Sequence, residues 1–101
     1  CPMGPWIVTS NEIVDPQCLD IKCWVNGELM QESNTSDQIY TVAETISMFS
    51  KGHTLIPGDV IATGTPAGVG FVRKPPRFLV PGDVLESEVE GIGRMRNVVG
   101  N

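Results

Sequence analysis

The sequence has 101 residues, of which 41% are hydrophobic and 19% are charged, a balance typical of an ordinary globular domain. The formal net charge of −5 argues against nucleic acid binding, because phosphate contacts depend on clustered Lys and Arg side chains. No apolar run approaches the roughly 20 residues that a membrane-spanning helix needs. We therefore expect one cytoplasmic domain with a modest hydrophobic core and neither a membrane nor a nucleic acid partner.

Several groups that can carry chemistry have simpler structural interpretations here. Cys1, Cys18 and Cys23 lack metal-ligand spacing, and Cys18 and Cys23 should face opposite sides of one strand, so we expect reduced, mostly buried thiols. Residues 73–77 contain a small basic cluster interrupted by prolines, which favours a solvated loop. The only histidine, His53, follows a predicted helix, where a capping or surface role is expected.

The first predicted elements form a hairpin. Residues 6–9 indicate a weak strand or extended arm, and residues 18–25 alternate apolar and polar side chains as a half-buried strand does. The Asn26-Gly27 pair follows directly and favours a type I′ turn, in which both central residues need positive φ. We expect residues 28–31 to pair back on the preceding strand and residues 33–37 to form a polar turn.

One helix is predicted after this hairpin. Thr41 and Glu44 match a capping box, in which each side chain satisfies an otherwise unpaired N–H group at the start of a helix. Val42, Ile46 and Phe49 then recur on one face. The pair at residues 51–52, Lys-Gly, predicts the end of the helix, with the glycine as its C-terminal cap.

Two later segments are near copies of each other. Residues 56–61 read Ile-Pro-Gly-Asp-Val-Ile, and residues 80–85 read Val-Pro-Gly-Asp-Val-Leu. Each predicts a Pro-Gly turn followed by a strand. Only the first copy continues into a glycine-rich loop, and a proline-rich connection separates the two.

A second hairpin is predicted near the C-terminus, around the turn at residues 91–93. A three-residue loop would place Glu90 opposite Arg94 and Glu88 opposite Arg96, whereas a two-residue loop would put these charges on opposite faces. We favour the three-residue loop. The carboxylates are then interpreted as an exposed face matched to arginines rather than as a metal cluster.

The stretch at residues 60–70, Val-Ile-Ala-Thr-Gly-Thr-Pro-Ala-Gly-Val-Gly, is the main candidate for a binding site. An apolar run of strand type gives way at Thr63 to small residues, hydroxyls and three glycines. Backbone N–H groups and the hydroxyls of Thr63 and Thr65 could receive an anionic oxygen. Glycine-rich loops are more often structural turns, so the residues alone leave both interpretations open.

Six motifs occur in order along the chain, and none of them is a generic repeat. They are Cys-Pro-Met-Gly-Pro-Trp at 1–6, Asp-Pro at 15–16, Trp-Val-Asn-Gly-Glu-Leu-Met-Gln at 24–31, Asn-Thr-Ser-Asp at 34–37, the segment 57–70, and Pro-Gly-Asp-Val at 81–84. Together they resemble the C-terminal part of the catalytic domain of the fumarylacetoacetate hydrolase family. The resemblance covers essentially the whole chain.

The resemblance implies a mainly β fold with one short helix, part of a mixed β-sandwich roll, and a homodimer. It implies a Mg²⁺- or Mn²⁺-dependent enzyme that acts on 2-oxo acid or acylpyruvate-type substrates by C–C bond hydrolysis, decarboxylation or dienoate isomerisation. In that family the cation chelates the 2-oxo carboxylate and stabilises an enolate. The metal carboxylates, a His-Glu pair and a lysine lie upstream of the segment that matches residues 1–6, so we expect neither catalytic nor metal-binding residues here.

One site residue carries over directly from the resemblance. Thr65 matches the family threonine that hydrogen-bonds the substrate carboxylate, with Thr63 and Gly64 as neighbours, and this match favours binding over a purely structural turn. We therefore expect a C-terminal fragment of a longer catalytic domain, inactive by itself. The alternative is a non-catalytic β-rich binding or assembly module on the same scaffold.

Overall fold

The computed structural model describes all 101 residues and contains one sheet of four antiparallel strands. The strands are β1 (Asp20–Val25), β2 (Glu28–Asn34), β3 (Val84–Val89) and β4 (Gly93–Val98), arranged in the order β2-β1-β3-β4. One α-helix, α1 (Val42–Phe49), and two short 3₁₀ turns, Thr35–Asp37 and Gly70–Val72, lie in the connections. The predicted mainly β fold with one short helix is confirmed.

The first hairpin has the predicted turn but a longer second strand. Asn26 and Gly27 have φ of 52° and 81°, as a type I′ turn requires. Strand β2 continues to Asn34, so the predicted polar turn begins later, as the 3₁₀ turn. The pairing places Cys23 opposite Gln31 but Trp24 opposite Leu29, which leaves one extra residue between the two partners in β2. This extra residue forms a β-bulge beside the candidate site.

The second hairpin has the predicted loop length but a different register. Val89 pairs with Gly93, so the three loop residues are 90–92 and Glu88 lies opposite Arg94. The predicted pairing of Glu90 with Arg94 is wrong, because Glu90 instead bonds to the start of β1: its backbone N–H donates to the Asp20 carbonyl and its carboxylate accepts from the Asp20 N–H. The register differs by two residues, which keeps the charged side chains on the face expected.

The charged face of this hairpin is held together by Arg94. Its guanidinium lies 3.2 Å from the Glu86 carboxylate and 4.0 Å from that of Glu88. The same group stacks over the Trp24 ring, with 4.1 Å between the guanidinium carbon and the ring centroid. These contacts agree with the interpretation of the carboxylates as partners of arginine.

Helix α1 begins as predicted and ends earlier. Thr41 accepts a hydrogen bond from the Glu44 N–H, and Glu44 accepts one from the Thr41 N–H at 2.8 Å, which completes the capping box and lowers the pKa of the Glu44 carboxyl. The helix ends at Phe49, and the Ser50 N–H bonds to the Ile46 carbonyl. The predicted glycine cap at Gly52 is wrong, since Gly52 does not adopt a positive φ.

Two predicted strands are absent from the structure, at residues 6–9 and 60–62. Between residues 60 and 69, no backbone group makes a backbone–backbone hydrogen bond, and Val60 is 70% exposed. A strand needs a hydrogen-bonded neighbouring strand, and neither segment makes a backbone hydrogen bond to any of the four strands of this chain. The strand prediction was wrong for residues 60–62 in this chain, because local sequence supplies the pattern but not the partner. For residues 6–9, where a weak strand and an extended arm were both open, the structure excludes only the strand.

The expected hydrophobic core is also missing. Only Val25 and Asp83 are buried. The accessible surface is 7571 Å², whereas a folded protein of 10.9 kDa typically exposes about 5,600 Å². The radius of gyration is 15.2 Å rather than the roughly 13 Å of a compact domain of this length. The apolar sides of the sheet and the helix therefore remain largely uncovered within this chain.

All three cysteines are free, as predicted, but they are not mostly buried. Cys1 and Cys18 are exposed, and Cys23 on β1 is half-buried. Partial burial raises the pKa of the Cys23 thiol, which keeps it in the protonated, less reactive form. The single α-helix is too short to cross a membrane.

Candidate functional site

A large open cleft lies between the sheet, α1 and the glycine-rich loop. Its volume is about 970 Å³, and Ile21 and Val89 from the sheet and Phe49 from the helix are among its apolar lining residues. Thr63, Gly64 and Thr65 all line it, together with Gln31 of β2. The three residues predicted to bind substrate therefore lie together at the edge of this cleft.

The loop presents several hydrogen-bond donors that have no acceptor within this chain. The backbone N–H groups of Thr63, Gly64 and Thr65 make no hydrogen bond to any group of the chain, and both threonines are exposed. Unpaired N–H groups and hydroxyls that converge on one edge favour an oxygen anion such as a carboxylate. The arrangement is suited to binding such a group rather than to moving a proton.

Gln31 holds this loop against the sheet. Its side-chain Nε2 donates to Thr65 Oγ1 at 2.9 Å and to the Pro66 carbonyl at 2.7 Å, with the Ala67 carbonyl at 3.5 Å. Gln31 lies opposite Cys23, on the same face of the sheet as the apolar residues of β1. Gln31 was not predicted as a site residue. The one indication in the sequence was a polar side chain at a strand position whose neighbours on the same face are apolar.

Two glycines allow the loop to approach the rest of the chain closely. A Cβ atom on Gly68 would lie 2.2 Å from the Met30 carbonyl oxygen, and one on Gly70 would lie 1.8 Å from the Arg77 carbonyl oxygen. Both distances are far below van der Waals contact, so any side chain would force the backbone apart. Gly68 and Gly70 are therefore needed for close packing. The sequence of the loop alone could not show whether its glycines serve close packing or turn formation.

Arg73 connects the same loop to the bulge in β2. Its guanidinium donates to the Met30 carbonyl at 2.6 Å and to the Gly68 carbonyl at 3.2 Å. Met30 is the extra residue of the bulge, whose carbonyl is therefore free to accept. The predicted solvated basic loop is wrong for Arg73, because its guanidinium is hydrogen-bonded to these two carbonyls.

Arg77 and Asp83 anchor the far end of this connection. Asp83 accepts from Arg77 at 2.9 Å, from the Val80 N–H at 3.0 Å and from the Asn26 side chain at 2.8 Å. These bonds, with that from Arg77 the largest contributor, lower the pKa of Asp83 to about 2. The Arg77 N–H also donates to the Gly70 carbonyl at 2.9 Å. Arg77 therefore also differs from the predicted solvated loop.

No metal centre can be built from this chain alone. No group of three or more His, Cys, Asp or Glu side chains is arranged to hold a metal ion. His53 is exposed, with its ring 6.1 Å from that of Phe49, and lies at a separate, smaller cavity. The residues present therefore do not fit a divalent cation by themselves.

Comparisons with known proteins agree with this architecture. A mitochondrial oxaloacetate tautomerase of Bos taurus is 50% identical over 99 residues, covering 98% of this chain and 32% of the relative. The structure of a fumarylacetoacetate hydrolase from Exiguobacterium antarcticum superposes with a TM-score of 0.95 at 47% identity, covering 99% of this chain and 36% of the other. This chain thus spans about a third of the length of the relatives that it matches.

A third relative was solved with ligands. It is the maleylpyruvate hydrolase from Sphingobium sp. SYK-6 in complex with manganese(II) and pyruvate, with a TM-score of 0.89 and 43% identity over 99% of this chain and 35% of the relative. Tautomerisation was not among the three reactions expected from the sequence. The profile of the fumarylacetoacetate hydrolase C-terminal region matches residues 1–100. The chain therefore belongs to the fumarylacetoacetate hydrolase family.

Proposed function

We propose that this chain is the C-terminal portion of the catalytic domain of a metal-dependent enzyme that acts on 2-oxo acids. Its role is to bind the substrate carboxylate through the Thr65 hydroxyl, with Thr63 and Gly64 as neighbouring contacts. The observation that carries this proposal is the set of unpaired donors in this loop at the edge of the 970 Å³ cleft. Similarity to a tautomerase and a hydrolase of such acids supports the substrate class.

Among the possible reactions, we favour keto–enol tautomerisation of oxaloacetate or a closely related acid. A relative that is 50% identical over 99 residues is named as an oxaloacetate tautomerase. The groups at the loop are neutral donors, so they would hold the carboxylate while a base elsewhere in the polypeptide transfers the proton. The alternatives are C–C bond hydrolysis, decarboxylation and dienoate isomerisation. Each of these reactions also takes place next to a 2-oxo carboxylate group of the substrate.

The missing core supports the proposal that the chain is part of a larger domain. About 2,000 Å² of surface beyond the expectation for a compact protein is exposed here. The uncovered apolar side chains include Ile7, Ile39, Ile56, Val60 and Phe71. We propose that the remaining two thirds of the polypeptide covers this surface and supplies the ligands for Mg²⁺ or Mn²⁺. The homodimer and the cytoplasmic location stay predictions.

The proposal is tested with Thr65→Val in the complete protein that contains this chain. Loss of one hydrogen bond to a charged group should raise KM for oxaloacetate by roughly 10- to 100-fold. Thr65→Ser keeps the hydroxyl and should restore most of the affinity. Thr54→Val, which removes an exposed hydroxyl outside the loop, serves as the matched control. Unchanged KM and kcat for Thr65→Val would contradict the proposed role.

The fragment itself provides a second test. The isolated 101 residues should show no turnover of oxaloacetate or an acylpyruvate with Mg²⁺ or Mn²⁺, because they contain no set of metal ligands. Turnover at a rate comparable to that of the complete protein would show that the chain is catalytically self-sufficient. That result would contradict the proposal that the rest of the polypeptide supplies the metal ligands.

A further inference from the structure

We propose that Gln31 is a positioning residue that makes the Thr65 hydroxyl a dedicated hydrogen-bond donor. We further propose that this donor role selects a ligand with a carboxylate over the same ligand with a neutral amide in its place. The inference rests on the proposed function, since it concerns how the same loop distinguishes its ligands. Gln31 itself is not proposed to touch the substrate. It acts through the hydroxyl to which it is bonded.

The orientation of the Gln31 amide is fixed by its neighbours. The Pro66 carbonyl, at 2.7 Å, can only accept a hydrogen bond, and so can the Ala67 carbonyl. Rotating the amide by 180° would bring its oxygen against the Pro66 oxygen at this distance, which is strongly unfavourable. The Gln31 NH₂ group therefore faces the loop and must be the donor in its contact with Thr65.

This orientation determines what the Thr65 hydroxyl can do. Its oxygen accepts from Gln31 at 2.9 Å, and the hydroxyl makes no other hydrogen bond within the chain. A hydroxyl has one proton, and here that proton has no acceptor within this chain. Thr65 is therefore ready to donate to a ligand oxygen. A carboxylate offers only acceptors, whereas an amide presents an NH₂ group that can compete for the same position.

The backbone of β2 holds Gln31 where it can act in this way. Gln31 is half-buried and pairs with Cys23, next to the bulge residue Met30. The Met30 carbonyl is bonded to Arg73, which also bonds to the Gly68 carbonyl of the loop. Strand and loop are thus joined by a second link beside the Gln31–Thr65 contact, so the hydrogen bond is formed before any ligand arrives.

The experiment compares pyruvate with pyruvamide as competitive inhibitors of the complete protein. The wild type should bind pyruvate more tightly. Gln31→Met, which keeps the length of the side chain but removes the donor, should reduce this preference roughly tenfold, because the Thr65 hydroxyl can then also accept a hydrogen bond from the pyruvamide NH₂ group. Gln31→Glu should reduce it at least as much, because a carboxylate has no proton to donate: its oxygens are repelled by the Pro66 carbonyl and, where they stay near Thr65, they accept the Thr65 proton and repel the ligand.

Two further variants separate positioning from general structural damage. Gln17→Met is the matched control, because the Gln17 side chain bonds to Thr35, Gln38 and Val42 and makes no hydrogen bond to the loop. It should leave the preference unchanged. In a Thr65→Val background, Gln31→Met should have little additional effect on the preference, since Gln31 acts through the missing hydroxyl. Gln31→Leu, which also removes the donor but places no oxygen against the Pro66 carbonyl, provides the second test if Gln31→Met fails to fold.

The outcomes distinguish this inference from the function on which it rests. If the wild type binds neither inhibitor and does not turn over 2-oxo acids, the proposed function is wrong and the inference fails with it. If Thr65→Val weakens pyruvate binding but a folded Gln31→Met, Gln31→Leu or Gln31→Glu variant keeps the wild-type preference, only the role of Gln31 is overturned. A folded variant whose affinity for pyruvate and for pyruvamide falls by the same factor would also overturn the role of Gln31, because an equal loss is expected from a purely structural role.

Discussion

The two Pro-Gly-Asp segments have nearly the same local structure. In the first, the Ile56 N–H donates to the Asp59 carboxylate at 2.9 Å and the Asp59 N–H returns a bond to the Ile56 carbonyl. In the second, Val80 and Asp83 make the same two bonds, each at 3.0 Å. The central glycines have φ of 100° and 93°. Four consecutive residues are enough to build this turn.

The two turns lead into different structures. Asp83 also bonds to Asn26 and Arg77, and the next residue begins strand β3 between two neighbouring strands. Asp59 has no such additional side-chain partner, and residues 60–62 pair with no strand of this chain. The comparison shows that a turn is a local property of the sequence, whereas a strand depends on what lies beside it.

The largest expected effect concerns amide hydrogen exchange at residues 60–62. If the rest of the polypeptide supplies their missing neighbour, these amides in the complete protein should exchange about 1,000-fold or more slowly than in a free peptide, as paired strand amides do. The β3 ladder provides an internal reference. The exposed turn at residues 9–12 should exchange rapidly. Rapid exchange at residues 60–62 would show that the first copy is a loop in the complete protein as well.

A second expected difference separates the two aspartates. In the complete protein, Asp83→Asn should lower the melting temperature by roughly 5–10 °C, because the new amide presents donors to Arg77 or Asn26 in place of acceptors. Asp59→Asn is the matched variant and should lower it by less than about 2 °C, since only the turn bond is affected. Thermal unfolding of both variants measures the difference. Equal shifts would mean that the additional partners of Asp83 contribute nothing.

A smaller effect is expected from pH. The pKa of Asp83 is lowered to about 2 in the folded protein, from an ordinary value of 3.8. Because the folded state favours the ionised form, this stabilisation is fully present above about pH 4 and is lost as the pH falls towards 2. The difference in unfolding free energy between wild type and Asp83→Asn should therefore narrow over that interval. A difference that stays constant with pH would contradict the role assigned to the charge.

The sequence predicted those features that depend on nearby residues. The Asn26-Gly27 turn, the Thr41–Glu44 capping box and both Pro-Gly turns were recognised because a few adjacent residues determine them. The register of the last hairpin was missed because Glu90 bonds to Asp20, which lies 70 residues away in the sequence. Such a contact leaves no periodic signal near either residue.

The same distinction applies to the candidate site. Thr63, Gly64 and Thr65 were identified by resemblance to a family, and the structure places them together at the cleft. Gln31 and Arg73 were not identified, since Gln31 bonds to Thr65, which lies 34 residues away, and Arg73 bonds to Met30, which lies 43 residues away. Met30 is also the residue of a bulge that the alternation of β2 does not reveal. The absent core has a related cause, because composition measures how much apolar surface exists and not what covers it.

The central claim is that the Thr65 hydroxyl binds the substrate carboxylate, and a structure of the complete protein with its divalent metal and pyruvate would test it most directly. We expect a pyruvate carboxylate oxygen at about 2.6–3.0 Å from Thr65 Oγ1, with the Gln31 amide still donating to the same hydroxyl. Pyruvate bound with its carboxylate more than about 4 Å from Thr65, and with no water bridging the two, would contradict the account.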